Sequence, residues 1–191
     1  MSQDLIEMDG GENITTPKVE EGKSMGFTHD SANNKSVDWY TPKWIFDDLG
    51  IEFDLDPCHP KEKIPWIPVK KYYCLEDDGL VSPWFGNVWL NPPYGRETAA
   101  WLKKMHEFRH GIGLVFARTD CRWYHDYVVN ADGLLFLKGR VKFVDGLGVT
   151  GGSGAGSGSM LISWGKDNTK LLKNMAKKGH FVPLDMNRKM G

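Results

Sequence analysis

Four consecutive residues, Asn91, Pro92, Pro93 and Tyr94, carry the sharpest chemical signal in the chain. Asn91 and Pro92 each precede a proline, which pushes both away from helical angles. Pro92 and Pro93 have a fixed φ and no N–H. The result is a stiff turn that offers the Asn91 amide oxygen and the Pro92 carbonyl as acceptors, with the Tyr94 ring beside them. Two acceptors aimed at one point suit an amino group on an aromatic ring, which has two N–H donors. Its lone pair is delocalised into the ring, so it is a poor nucleophile. Acceptors on its hydrogens favour a more tetrahedral nitrogen and stabilise the charge that develops during attack. Tyr94 adds a stacking face, worth about 1–3 kcal/mol per base. A base reaches such a loop only by leaving the duplex stack. A proline-rich connector ahead of a helix is the plain alternative for the tetrapeptide by itself.

Carboxylates at strand tips form a second group. In Ile51-Glu52-Phe53-Asp54-Leu55-Asp56-Pro57, apolar residues alternate with acids, a strand period, and Pro57 ends the strand with Asp56 at its tip. Asp54 is two residues back and so expected on the same face as Asp56; an acid paired with a lysine is its plain alternative. Glu76-Asp77-Asp78-Gly79-Leu80 reads as an acidic turn. Thr41-Pro42 places a hydroxyl and a proline where a helix could start. Among the cations, Arg96 sits beside the Asn91 turn, Arg118 follows an apolar strand, and Arg140 and Lys142 lie in a later strand-like stretch. All four are candidate phosphate contacts, against ordinary salt bridges or hairpin decoration. Trp123 is a candidate for lining a base pocket, against a place in the core. Cys58, His59, Cys74 and Cys121 lack paired metal-ligand spacing, so no metal is expected.

The elements needed to hold these groups can be read in order. A short helix follows Pro42, with Gly50 to end it. Strands are expected near 51–56, 72–75 and 88–90. Trp101, Leu102, Met105 and Phe108 share one face of a helix over 97–109. A buried strand covers 111–116, and a helix takes in Trp123, Tyr124, Tyr127 and Val128. Gly133–Leu137 and Arg140–Val144 suggest a hairpin around Lys138-Gly139. The Gly/Ser-rich run 146–159 reads as a flexible loop. It lacks the ending of a phosphate-binding loop. A strand over 160–164, a basic amphipathic helix over 169–178 and a fraying end complete the chain. Alternation of strands and helices early, with hairpin-like pairing late, predicts an α/β sheet with an antiparallel portion.

Length and composition agree with one soluble domain over 37–191, preceded by a mobile acidic segment over 1–36. The chain has 191 residues, 40% of them hydrophobic and 26% charged. No apolar run approaches a membrane span, and the start lacks the signature of a signal peptide. Three cysteines fit a reducing cytoplasm better than a disulfide framework. Net charge is −1, but residues 1–40 hold three lysines against eight acids and residues 166–191 seven cations against two. That basic end is a candidate phosphate contact or a solvated helix face.

The residues from about 37 to 165 resemble the amino-group DNA methyltransferases, most closely the small phage-type DNA N6-adenine methyltransferases. Asn91-Pro92-Pro93-Tyr94 is similar to the catalytic motif of that family. Tyr40-Thr41-Pro42 resembles the segment that wraps the methionine end of S-adenosylmethionine. Phe53-Asp54-Leu55-Asp56-Pro57 resembles the acidic strand end of the cofactor site, and Asp78-Gly79 the acidic turn near the cofactor's adenine. The resemblance implies a Rossmann-like methyltransferase fold with a mixed, mostly parallel sheet. It also implies S-adenosylmethionine as cofactor, double-stranded DNA as substrate, a monomer or weak dimer, and a phage or restriction-modification setting. One departure is that Asp56-Pro57-Cys58-His59-Pro60 carries no Gly-rich turn. The acceptor chemistry leaves adenine N6, cytosine N4, an RNA base and a glutamine amide open as targets, as well as a relative that binds DNA without catalysis.

Overall fold

The structure, a computed structural model, describes residues 40–145, 147–150 and 155–184. The acidic segment 1–36 and the last residues of the basic end lie outside the described residues, as does part of the Gly/Ser run.

Seven strands form one sheet in the order β2-β1-β3-β4-β6-β5-β7. They are β1 (Phe53–Asp56), β2 (Val69–Tyr72), β3 (Val88–Leu90), β4 (Gly111–Phe116), β5 (Gly133–Leu137), β6 (Ser159–Trp164) and β7 (Gly179–Pro183). Pairings among β1 to β4 are parallel; those of β6 with β4 and β5, and of β5 with β7, are antiparallel. The expected α/β sheet with an antiparallel end is thus observed, and it is consistent with a Rossmann-like methyltransferase fold. The chain leaves β1 toward β2 and then returns to lay β3 on the other side of β1. That reversal is a topological switch point, and in open α/β sheets ligands bind outside the carboxyl ends of the strands at such a point.

The sheet is covered on both faces. On one, Ile45, Phe46 and Leu49 of α1 (Lys43–Leu49) and Leu172 of α3 (Lys166–Asn174) pack on Phe53, Trp89, Ile112, Leu114, Leu135 and Leu161. On the other, Trp101, Leu102 and Met105 of α2 (Thr98–Phe108) pack on Leu55, Val88, Leu90, Val115 and Ile162. Residues alternate between the clusters along β3, β4, β5 and β6, as a pleated strand requires. Trp89 is fully buried, with Phe46 edge-on at 4.8 Å and Phe53 at 5.5 Å. Burial of a side chain that size contributes about 2–3 kcal/mol and anchors β3 two residues before the proline turn.

Local signals set the helix ends. Gly50 adopts φ 64° and donates its N–H to the Phe46 carbonyl, the left-handed cap its type favours. Pro42 stands at the N-cap of α1 with no side-chain cap, so the Thr41 hydroxyl does not cap this helix.

Several expectations need correction. The strand expected near 72–75 lies at Val69–Tyr72. Residues 140–144 form no hairpin with β5; β6 and β7 take both of its edges, and Val144 instead makes an isolated bridge with Tyr40. The end of the chain includes an ordered edge strand, β7. The residues Trp123 to Val128 make one π-type turn, Tyr124–Val128, with Val129 N–H donating to the Tyr124 carbonyl. Trp123 packs with the α2 face, away from the cluster that includes Tyr94. Finally, the alternation across β1 is broken. The N–H groups of Asp54 (2.8 Å) and Leu55 (3.4 Å) both donate to the Asn87 carbonyl. Two residues opposite one is a bulge, and Phe53 and Leu55 consequently pack on opposite faces of the sheet.

Candidate active site

The proline turn leaves the carboxyl end of β3 at Leu90 and is fixed from α2. Thr98, the first residue of that helix, is buried. Its hydroxyl donates to the Pro93 carbonyl (2.8 Å) and accepts the Gly95 N–H (3.1 Å). The Tyr94 ring stacks on Phe116, at the end of β4, with centroids 4.1 Å apart and planes at 15°. Phe143 meets it edge-on at 6.1 Å. One face of Tyr94 is therefore already covered, leaving at most the other for a base. The Tyr94 hydroxyl donates to Asn91 Oδ1 at 3.4 Å, a long and weak bond. Burial pushes the Tyr94 phenol further above its ordinary range, so it stays a neutral O–H. Among the described residues no other hydrogen bond ends on the Asn91 side chain, and none ends on the Pro92 carbonyl. Both acceptors expected from the sequence are present with capacity to spare.

Across the switch point stands Asp56, at the carboxyl end of β1 and 3% exposed. Its Oδ1 accepts the Cys58 N–H at 3.0 Å. Burial pushes this carboxyl up to about 7, against the smaller lowering from that hydrogen bond. A carboxylate so poorly supplied with donors favours a cationic or hydroxylic partner. The Asp78-Gly79 turn is drawn to the same place. A Cβ at Gly79 would fall 2.0 Å from the Pro57 carbonyl oxygen, so only glycine permits this approach. Two side chains fix the turn. Trp84 Nε1 donates to the Gly79 carbonyl (2.7 Å), and Lys104 Nζ of α2 donates to the carbonyls of Gly79 (3.1 Å), Leu80 (2.8 Å) and Ser82 (2.6 Å). Desolvation lowers the Lys104 ammonium from its usual range. Asp78 itself is exposed, at φ 47°, with Oδ1 accepting the Leu80 N–H at 3.1 Å.

Tyr40, Thr41 and Pro42 come to the same edge through Val144. Tyr40 and Val144 exchange backbone hydrogen bonds of 2.7 and 3.0 Å, and the neighbouring Phe143 touches Tyr94. Trp66 Nε1 donates to the Thr41 carbonyl at 2.9 Å. Among the described residues the Thr41 hydroxyl is buried without a partner, as is that of Ser159, which lies opposite Phe116 in the sheet.

Asp54 is not brought to this edge. Its Oδ1 pairs with Lys70 at 2.8 Å and its Oδ2 accepts the Asn87 N–H at 2.7 Å. Lys70 first, and the Asn87 N–H second, hold its carboxyl below the usual range. Asn87 lies just before β3, so Asp54 faces the amino ends of the strands, and the bulge in β1 is why the two-residue spacing misleads.

The candidate cations divide. Arg96 and Arg118 are exposed and make no ion pair among the described residues, and neither does Lys142. Arg140 donates from one guanidinium nitrogen to the Ala155 carbonyl at 2.7 Å. Arg118 follows β4 and Arg140 follows β5. These strands run the same way as β3, so both cations share the edge of Asn91. Among the described residues no cluster of three His, Cys, Asp or Glu converges as a metal site requires, and no helix is long and apolar enough to cross a membrane. The sequence pattern singles out neither Thr98 nor Lys104. A threonine five residues past a proline turn was the only available signal for the first, and for the second there was none.

An amide, a buried carboxylate and an aromatic ring stand around the switch point of a mixed α/β sheet, the place where open α/β sheets bind their ligands. The particular kind follows from comparison: residues 29–179 match the family model described as DNA N-6-adenine-methyltransferase (Dam), and the chain belongs to that family. No curated protein and no solved structure matches it. Family membership implies DNA N6-adenine methyltransferase activity in general, with DNA as substrate.

Proposed function

We propose that the chain methylates the N6 amino group of adenine in double-stranded DNA with S-adenosylmethionine as donor, the base leaving the stack to meet Asn91, Pro92 and Tyr94. One observation carries this reading. Asn91 Oδ1 and the Pro92 carbonyl have unused acceptor capacity on a loop fixed at the switch point.

The donor fits the residues opposite. The carboxyl of Asp56 accepts one backbone N–H, that of Cys58, the Thr41 hydroxyl is buried without a partner among the described residues, and the backbone at Gly79 is closed down onto Pro57. Tyr40, Thr41, Pro42, Asp56, Pro57, Asp78 and Gly79 would hold it; Asp54 would not. When bound, S-adenosylmethionine supplies a methyl group on a sulfonium, an electrophile with a neutral thioether as leaving group.

The chain's own part is positioning and electrostatics. Asn91 Oδ1 and the Pro92 carbonyl each accept one hydrogen of the adenine amine, which turns its lone pair out of conjugation. The same two dipoles stabilise the positive charge that grows on the nitrogen. Tyr94 offers a ring face, and its O–H donates only a long bond to Asn91 Oδ1, which leaves that oxygen free to accept from the amine. The spare proton of the alkylated nitrogen is acidic, so water accepts it without a strong side-chain base. Arg96, Arg118 and Lys142 meet backbone phosphates, and Arg140 does so while tying Ala155 in place.

Transfer of tritium from labelled S-adenosylmethionine, followed by nucleoside analysis of the DNA, tests this directly. N6-methyladenine is the expected product. Label in N4-methylcytosine, in RNA or in protein, or cofactor binding with no acceptor, overturns the reading.

A further inference from the structure

The segment after Phe143 has a shape that catalysis at Asn91 does not use. Asp145 organises a tight turn. Its Oδ1 accepts the N–H groups of Leu147 (2.9 Å) and Val149 (2.9 Å), its own N–H donates to the Val149 carbonyl (2.9 Å), and its carbonyl accepts the Gly148 N–H (3.0 Å). A bridge between Val144 and Thr150 closes the base. Gly148 lies over the Trp66 ring, where a Cβ would stand 3.7 Å from it. The turn is thus internally bonded on both sides. It nonetheless holds two large apolar side chains out in water, Leu147 at 87% and Val149 at 60% exposure. Each forgoes the roughly 1.5–3 kcal/mol that burial would return.

Place and charge indicate what covers them. Between residues 138 and 150 the chain has three cations, Lys138, Arg140 and Lys142, and a single acid, Asp145, whose Oδ1 is engaged inside the turn. An apolar tip on a cationic base suits a surface that is anionic outside and apolar within, as stacked bases behind a phosphate backbone are. Phe143 touches Tyr94. Leu147 is four residues further on, so it reaches no more than about 14 Å from that point. That is a span of a few base steps at about 3.4 Å each.

We propose that this turn is a wedge: Leu147 and Val149 enter the base stack of a DNA duplex beside the adenine that is drawn to Tyr94. The inference rests on the methyl-transfer reading above and adds the element that opens the duplex. Apolar side chains inserted at a base step offset part of the few kcal/mol that unstacking costs. The same cost is smaller where the target base is already mispaired.

The full chain carrying Leu147→Ser and Val149→Ser tests the wedge, on a duplex whose methylated adenine has been located by sequencing. Both residues are exposed, so the melting temperature should hold. Methyl transfer to the paired duplex should fall on the order of tenfold or more, because opening the step loses its apolar support. Transfer to the same duplex with a mismatch at the target should fall by less than about threefold. The change Leu147→Met should keep the native ratio of the two rates. Equal losses on paired and mispaired DNA, or no loss on either, overturn the wedge and leave methyl transfer standing. A loss that tracks a change in self-association also overturns it, since a second copy would then be the occupant. If the native protein labels no DNA at all, the methyl-transfer reading falls and the wedge with it.

Discussion

The two edges of the sheet treat their polar groups in opposite ways. At the amino ends of the parallel strands, polar groups close on one another. Asp54 is divided between Lys70 and Asn87. Asn87 and the buried Asn168 exchange side-chain hydrogen bonds of 3.1 and 2.8 Å, and Asn168 also donates to the Trp164 carbonyl. Arg109 pairs with Asp132 at 2.9 Å and also holds the Asn130 carbonyl, while Asp132 accepts the Gly165 N–H. At the carboxyl ends, among the described residues, Asn91 has one weak partner, the Pro92 carbonyl has none, and the buried hydroxyls of Thr41 and Ser159 are unpartnered. A buried polar group left unpaired costs about 1–3 kcal/mol. The first edge spends its polar groups on the protein; the second leaves acceptors and hydroxyls unspent, as the proposed ligand site requires.

The strongest attempt to break this contrast is Asn91→Ala. Loss of one of two groups that stabilise developing charge should lower methyl transfer by on the order of 10²–10³-fold. The melting temperature and cofactor affinity should change little, because the amide supports so few contacts. A collapse in stability instead would place the turn among the structural elements.

Asp56 gives a pH signature. Its carboxyl titrates near 7 in the folded protein, against an ordinary value of 3.8. Between those values the folded state holds more protons than the unfolded one, so stability falls as pH rises from about 4 to about 7. Asp56→Asn should remove that decline, read from urea midpoints across the range, and should weaken cofactor binding at pH 8. A slope unchanged by the substitution would assign the titration to another group.

At the other edge, Asn87→Ala leaves the buried Asn168 amide short of partners and should cost about 1–3 kcal/mol of stability. Turnover per folded molecule should be unaffected, as measured by transfer rates normalised to folded protein. A selective loss of turnover would erase the distinction between the edges.

The smallest effect belongs to Arg96→Ala and Arg118→Ala. Each should reduce the slope of log affinity for DNA against log salt by about 0.9, similarly for every sequence tested, with stability within about 0.5 kcal/mol of the parent. An unaltered slope would remove that arginine from the DNA contact.

What was legible in the sequence was local. Gly50 ended its helix because glycine adopts that left-handed cap without steric cost. The residues Trp101, Leu102 and Met105 packed as their helical spacing requires. The turn at Asn91 followed from two prolines, and the switch-point carboxylate from Pro57 ending a strand. What was not legible depended on distant partners. Lys104 holds carbonyls 22 to 25 residues away. The strand β7 pairs with β5 more than forty positions earlier, so residues 179–183 show no local sign of order. Trp123 has helical spacing on either reading, and only the packing of α2 decided its face. The separation of Asp54 from Asp56 came from one carbonyl, that of Asn87, accepting two N–H groups across strands.

By itself the sequence determined the inventory at the site: two prolines that restrict the backbone, an amide and a carbonyl that accept, an aromatic ring, and carboxylates near strand tips. Those are properties of single residues and their immediate neighbours. Tertiary structure alone decided which of these groups spend their hydrogen bonds on the protein and which keep them. That choice falls on pairs far apart in the chain: Asp54 is consumed by Lys70 and Asn87, while Asn91 and the Pro92 carbonyl stand at the switch point with acceptor capacity free for an amine.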